Sequence, residues 1–108
     1  MTTTDEPVTL DPAVARVVAA INAGDRRAFL SALAPRAVLT DDGTPRPLAD
    51  WVEREIFSAD GRLTVERADA DGRELVGRFR NLLWGEMRTY WRFDVVDGAV
   101  TRIETGQA

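Results

Sequence analysis

The sequence predicts an α+β fold: three N-terminal helices packed in the concavity of a mixed, mainly antiparallel sheet. Two observations carry that prediction. From Arg73 to Thr105 the residues alternate. Leu75, Gly77, Phe79, Asn81 and Leu83 fall on one side, as do Met87, Thr89, Trp91, Phe93 and Val95. Glu74, Arg78, Arg80, Glu86, Arg88, Arg92 and Asp94 fall on the other. Period two with one apolar side is the pattern of an antiparallel sheet covered on one face. Upstream the apolar residues change to helical spacing, and that half of the chain reads as the cover.

Met1 to Leu10 is polar and acidic, without the basic start and apolar centre of a signal peptide, and is expected to be a disordered tail. Residues 11–108 form the single domain. Asp11 and Pro12 open the first helix, an N-cap carboxylate followed by a proline where no N–H is needed. Val14, Val17, Val18 and Ile21 make its apolar stripe, and Gly24 ends it. Asp25 caps a second helix, Arg26 to Ala34, which Pro35 stops. Ala37 to Thr40 is a short strand leading to Asp41, Asp42 and Gly43. Two prolines and a glycine make 43–47 a loop. Leu48 to Phe57 is the third helix, with Leu48, Trp51, Val52 and Ile56 on one side.

Arg62 to Ala70 is the next strand. Three-residue loops at 70–72, 84–86 and 96–98 keep like faces together, since register follows the buried face. The first pairs Leu63 with Phe79 and Val65 with Gly77. With all three, Trp91 lies between Phe79 and Ile103. Arg78, Arg92 and Arg102 then form a row on the outer face.

Composition narrows the chemistry. The chain has 108 residues, a net charge of −4, and no Cys, His or Lys. Thiol chemistry, lysine Schiff bases, and the usual general base and commonest metal ligand are therefore excluded. No metal and no cofactor are expected. The acidic balance argues against nucleic acid, and no apolar run approaches the roughly 20 residues that span a bilayer. The expectation is a soluble cytoplasmic protein with neither a nucleic-acid nor a membrane partner.

The order helix, helix, short strand, helix, then four antiparallel strands resembles the nuclear transport factor 2-like superfamily, with its ketosteroid isomerase-like and SnoaL-like members. Val18 to Asp25, Ala34 to Leu39 leading into Asp41, and Val96 to Val100 followed by Ile103 carry the resemblance. It implies a curved sheet wrapped on three helices as a cone, a pocket at the mouth, and frequent dimerisation. It also places the isomerase-like catalytic aspartate at Asp41 and the first-helix oxyanion tyrosine at Val17, which cannot donate. The second oxyanion donor falls near Tyr90 or Trp91. A histidine-dependent dehydratase cannot be matched, nor can an Asp-Arg-Asp epoxide-hydrolase triad.

Asp41 is the candidate base, because a carboxylate at a strand end facing an apolar cavity is poised for proton transfer. Asp41-Asp42-Gly43 is equally readable as a plain turn, and either aspartate could face the pocket. Trp51, Phe79, Asn81, Thr89, Tyr90 and Trp91 join Val17 as candidate ligand contacts. The Arg78, Arg92 and Arg102 row suggests a homodimer through the sheet face with crossed Arg–carboxylate pairs. The function expected is that of a SnoaL-like binder of a small hydrophobic molecule. It would catalyse cofactor-free isomerisation, cyclisation or dehydration of a carbonyl compound by Asp-mediated proton transfer. The alternative is a non-catalytic ligand-binding or dimerisation module.

Overall fold

A computed structural model describes residues 8–108. Helix α1 (Pro12–Ala23) begins where Asp11 accepts the Ala13 amide, and ends at Gly24, whose left-handed φ of 65° turns the chain so that the Asp25 N–H donates to Ala20 O at 2.9 Å. Burial opposes the charge on Asp11, but the Ala13 amide and the Arg73 guanidinium outweigh it and hold its carboxyl below the ordinary range. The expected tail lies outside the described residues as far as position 7. Leu10 packs against the core, and the Asp11 amide donates to Gly72 at 3.0 Å, so order starts before the expected boundary.

Helix α2 (Arg26–Ser31) is capped by Asp25 as expected but stops before Leu33. The residue before Pro35 is biased to extended backbone, and Leu33 instead pairs with Val100. Strand β1 (Leu33–Asp41) is therefore longer than expected. The segment expected as a loop holds a further strand, β2 (Thr44–Arg46), after a two-residue turn with Asp42 at φ 50° and Gly43 at φ 81°. Both left-handed residues match the sheet twist in such hairpins, and Pro45 is tolerated because β2 is an edge strand. Helix α3 (Leu48–Val52) passes into a π-helical turn, Glu53–Phe57.

The remaining strands, β3 (Arg62–Ala68), β4 (Glu74–Asn81), β5 (Gly85–Val96) and β6 (Ala99–Gln107), complete a six-stranded sheet in the order β2-β1-β6-β5-β4-β3. Only β1 and β6 run parallel among these neighbours. Leu63 opposes Phe79 and Val65 opposes Gly77, as expected, until a bulge at Glu66 lengthens the hairpin and pairs Arg67 with Val76. The other two registers differ from expectation. Asn81 pairs with Gly85, so the β4–β5 turn is Leu82-Leu83-Trp84. Asn81 builds that turn by accepting the Leu83 and Trp84 amides at 3.1 and 2.8 Å. The β5–β6 turn has two residues, Asp97 and Gly98, and a bulge between Asp94 and Val95 restores the faces. Trp91 consequently lies between Leu75 and Thr105.

The expected arginine row is therefore not formed. Arg92 sits between Glu74 and Glu104, Arg102 opposes Asp94, and Arg78 opposes Arg88. Two like-charged pairs remain: Glu66 relieves the Arg78–Arg88 pair, at 3.4 Å from Arg78 and 3.2 Å from Arg88, and Arg62, opposite Arg80, is met by Asp60 at 2.9 Å.

The core lies between the helices and the inner sheet face, centred on Trp91, Phe29, Ile21 and Ile103. Asn22 ties α1 to edge strand β3 by donating to Leu63 O and accepting from Leu63 N, both at 2.8 Å. Among the described residues no helix is long and apolar enough to cross a membrane.

Candidate functional site

Asp41 ends β1 two residues after buried Leu39, and strand alternation points both to the concave side. It is half-buried, and its Oδ2 accepts the Trp51 indole N–H at 3.1 Å. Helix α3 sets that contact: Trp51 is the buried residue of its first turn, and its backbone amide donates to Pro47 O. Asp42 is the exposed turn residue, its Oδ1 accepting the Gln107 amide at 3.1 Å. Of the two aspartates, Asp41 is thus the one with its carboxylate against the aromatic wall.

A cavity of about 330 Å³ opens beside this carboxylate. Trp51, Phe79, Thr89 and Trp91 line it with Asp41, all from the sites expected. The tryptophans meet edge to face with centroids 6.3 Å apart, and Phe79 lies 5.9 Å from Trp91. Their polar atoms are largely engaged. Trp91 N–H donates to Thr89 Oγ1 at 2.9 Å, and the Thr89 hydroxyl donates onward to Gly77 O at 3.3 Å.

The other expected contacts are elsewhere. Val17 is wholly buried in the helix-facing core. Asn81 is buried and donates to Glu55 O at 2.8 Å, holding the β4–β5 turn to the π-helical turn. Tyr90 alternates with Thr89 and Trp91 and so faces outward, beneath the Arg92 guanidinium at 5.3 Å. Gly106 lies opposite it, and a Cβ there would come within 2.3 Å of Asp42 Oδ1 and 2.9 Å of the Tyr90 hydroxyl, so both side chains would have to shift.

The mouth is built by residues not expected. π-helical turns are rare and tend to occur at functional sites. Here the turn keeps Ile56 in the core while Arg54 and Glu55 reach the rim. Glu55 accepts Trp84 Nε1 at 2.8 Å and meets Arg54 Nε at 3.1 Å, so its carboxylate latches the hairpin tip to the helix. Asp42, Arg46, Met87, Thr105, Gly106 and Gln107 complete the lining. Among the described residues no three carboxylates converge as a metal site would require. Chemically, the site offers an aromatic surface, one carboxylate with a single indole donor, and charged groups at the rim.

No family model matches the sequence, and no curated protein matches it. Solved structures do. A candidate polyketide cyclase from Sinorhizobium meliloti is 22% identical with a TM-score of 0.73, covering 89% of this chain and 94% of that one. A nuclear transport factor 2-like protein of unknown function from Cytophaga hutchinsonii is 11% identical with a TM-score of 0.76, covering 97% and 95%. A Δ5-3-ketosteroid isomerase from Mycobacterium sp. is 20% identical with a TM-score of 0.68, covering 86% and 88%. At these identities the likeness establishes the fold.

Proposed function

We propose that this chain, which has the nuclear transport factor 2-like fold, binds a small hydrophobic carbonyl compound and moves a proton on it without a cofactor, in the SnoaL-like manner. One observation carries the reading: the half-buried Asp41 carboxylate, held by Trp51 on the wall of an aromatic-lined cavity. The cavity's size, about 330 Å³, falls at the lower end of the roughly 300–1,000 Å³ usual for small-molecule pockets. Isomerisation, aldol cyclisation and dehydration of carbonyl compounds all begin by removing a proton next to the carbonyl. A carboxylate is a competent base for that step. Two structures of the same fold bear the names of an isomerase and a candidate cyclase, which supports this class of chemistry without naming a substrate.

A second reading, binding without catalysis, is favoured by one specific feature. The expected oxyanion donors are spoken for: Trp91 N–H goes to Thr89 and the Asn81 amide to Glu55, while Tyr90 is on the far face. Both readings require the cavity to take a ligand. A thermal-shift screen against steroids, polyketide fragments and small hydrophobic ketones tests that shared requirement. A ligand at one hundred times its Kd stabilises the native state by about 2.7 kcal/mol, which raises the melting temperature by several degrees in a domain of this size. No shift across such a library would remove both readings.

The proposal extends to a homodimer through the outer sheet face. Arg92 and Arg102 already have carboxylates beside them within the chain, at 3.5 Å to Glu74 and 2.9 Å to Glu104. Crossed pairs between copies would exchange one set of ion pairs for another, so association is expected to be weak and to fall with salt. Sedimentation at micromolar concentration showing monomer alone, in low and high salt, removes the dimer.

A further inference from the structure

We infer that the ligand of this cavity carries an anionic group and that Arg46 receives it. The inference rests on the cavity being a ligand site, as proposed above. Arg46 pairs with Leu39 across the β1–β2 hairpin, and Leu39 is 1% exposed in the core. Directly paired residues project to the same side of a sheet, so Arg46 stands on the concave side and lines the cavity. Thr44, on the same side two residues earlier, pairs with Asp41, which sets Arg46 one step along the rim from the candidate base.

The polar groups around it already have hydrogen-bond or ion-pair partners. Arg54, the other cavity arginine, meets Glu55 at 3.1 Å. Asp41 holds the Trp51 indole and Asp42 holds the Gln107 amide. Among the described residues Arg46 has no carboxylate within ion-pair distance. A guanidinium with its fork of donors unused, beside Trp51, Phe79 and Trp91, complements a flat apolar body bearing a planar anion such as a carboxylate. The apolar body would lie on the aromatic wall, with its anionic end at the rim and its middle next to Asp41. A competing explanation exists, because inward-pointing charges on edge strands deter pairing with other chains, and β2 is an edge. On that account Arg46 would have no say in ligand choice.

Two fluorescent probes separate these explanations: 8-anilino-1-naphthalenesulfonate, and N-phenyl-1-naphthylamine, the same skeleton without its sulfonate. Each is titrated into the whole protein, into Arg46→Gln, and into Arg80→Gln, which alters an exposed arginine of the outer face. The wild type is expected to prefer the anionic probe by about tenfold at low salt, as a charge-assisted contact implies. Salt should erode that preference. Arg46→Gln should abolish the preference while leaving the affinity for the neutral probe unchanged, which also shows that the variant is folded. Arg80→Gln should change neither. Equal binding of both probes by the wild type overturns the inference. So does a preference that survives Arg46→Gln, or one lost equally in Arg80→Gln. If the neutral probe binds without an anion preference, the inference alone fails. If neither probe binds, the ligand-site reading fails and the inference falls with it.

Discussion

Replacing Trp91 with alanine is expected to lower the folding stability by about 3–5 kcal/mol, the range for truncating a buried aromatic. A domain of this size has only about 5–15 kcal/mol in total, so the variant should sit near the edge of folding. Trp91 is 1% exposed and occupies the middle of the sheet, between Leu75 on β4 and Thr105 on β6. Three rings surround it: Trp51, Phe79, and Phe93, which stacks at 6.4 Å. No neighbouring element can collapse into the space without breaking the strand pairing on both sides. Trp91→Phe keeps most of the ring contact and loses the N–H bond to Thr89, an interaction worth about 1 kcal/mol, together with part of the buried area. Urea unfolding followed by circular dichroism measures both variants without relying on tryptophan fluorescence. A loss below about 1.5 kcal/mol for Trp91→Ala would mean that the core repacks and that Trp91 does not organise it.

That residue also shows what can be read from the sequence. Period-two alternation fixes the side on which a strand residue lies, and it puts Trp91 on the inner face, where the structure has it. Its partners are not readable in that way. The expected and observed β4–β5 pairings, Leu83 with Met87 against Asn81 with Gly85, keep the same faces together, so hydrophobic patterning cannot tell them apart. Turn chemistry decides between them, through the Asn81 side chain capping two amides. At the last hairpin a two-residue turn mixes faces on patterning alone, yet a bulge absorbs the mismatch. The arginine row follows from the expected registers and falls with them.

The site divides in the same way. Asp41, Trp51, Phe79, Thr89 and Trp91 are legible because each lies on an inward face of its own element. The rim is not. Arg46 lies in a proline-flanked segment whose pairing comes from the Asp42-Gly43 turn. Glu55 owes its position to a π-helical phase that helical spacing does not foretell. Trp84 is a turn residue in both the expected and the observed register, but only the turn at 82–84, closed by Asn81, brings its indole to Glu55. An Asp-Gly pair beside alternating residues is a strong hairpin signal, and it is the one available clue to β2.

Asp41→Asn is the second large effect expected, on turnover and not on stability. The amide keeps an oxygen that can accept the Trp51 N–H, so the 3.1 Å contact and the shape of the cavity should survive. What it loses is the ability to take a proton. If Asp41 is a general base, proton removal should slow by about 10²–10⁴-fold, the usual contribution of such a group. Hydrogen–deuterium exchange reads that step directly and requires no knowledge of the product. A ketone that raises the melting temperature is incubated with the protein in deuterium oxide, and loss of its proton signal beside the carbonyl is followed by NMR. In an enzyme the exchange runs far above the buffer rate with Asp41 present and collapses in the Asp41→Asn variant, while the thermal shift persists there. In a binding module both proteins give the buffer rate and the same thermal shift, and the catalytic half of the proposal is removed. Fast exchange that survives Asp41→Asn would place the base elsewhere. Glu55, whose two oxygens face Trp84 and Arg54 at the rim, is the carboxylate to replace next, and a Glu55→Gln variant in the same assay would decide it.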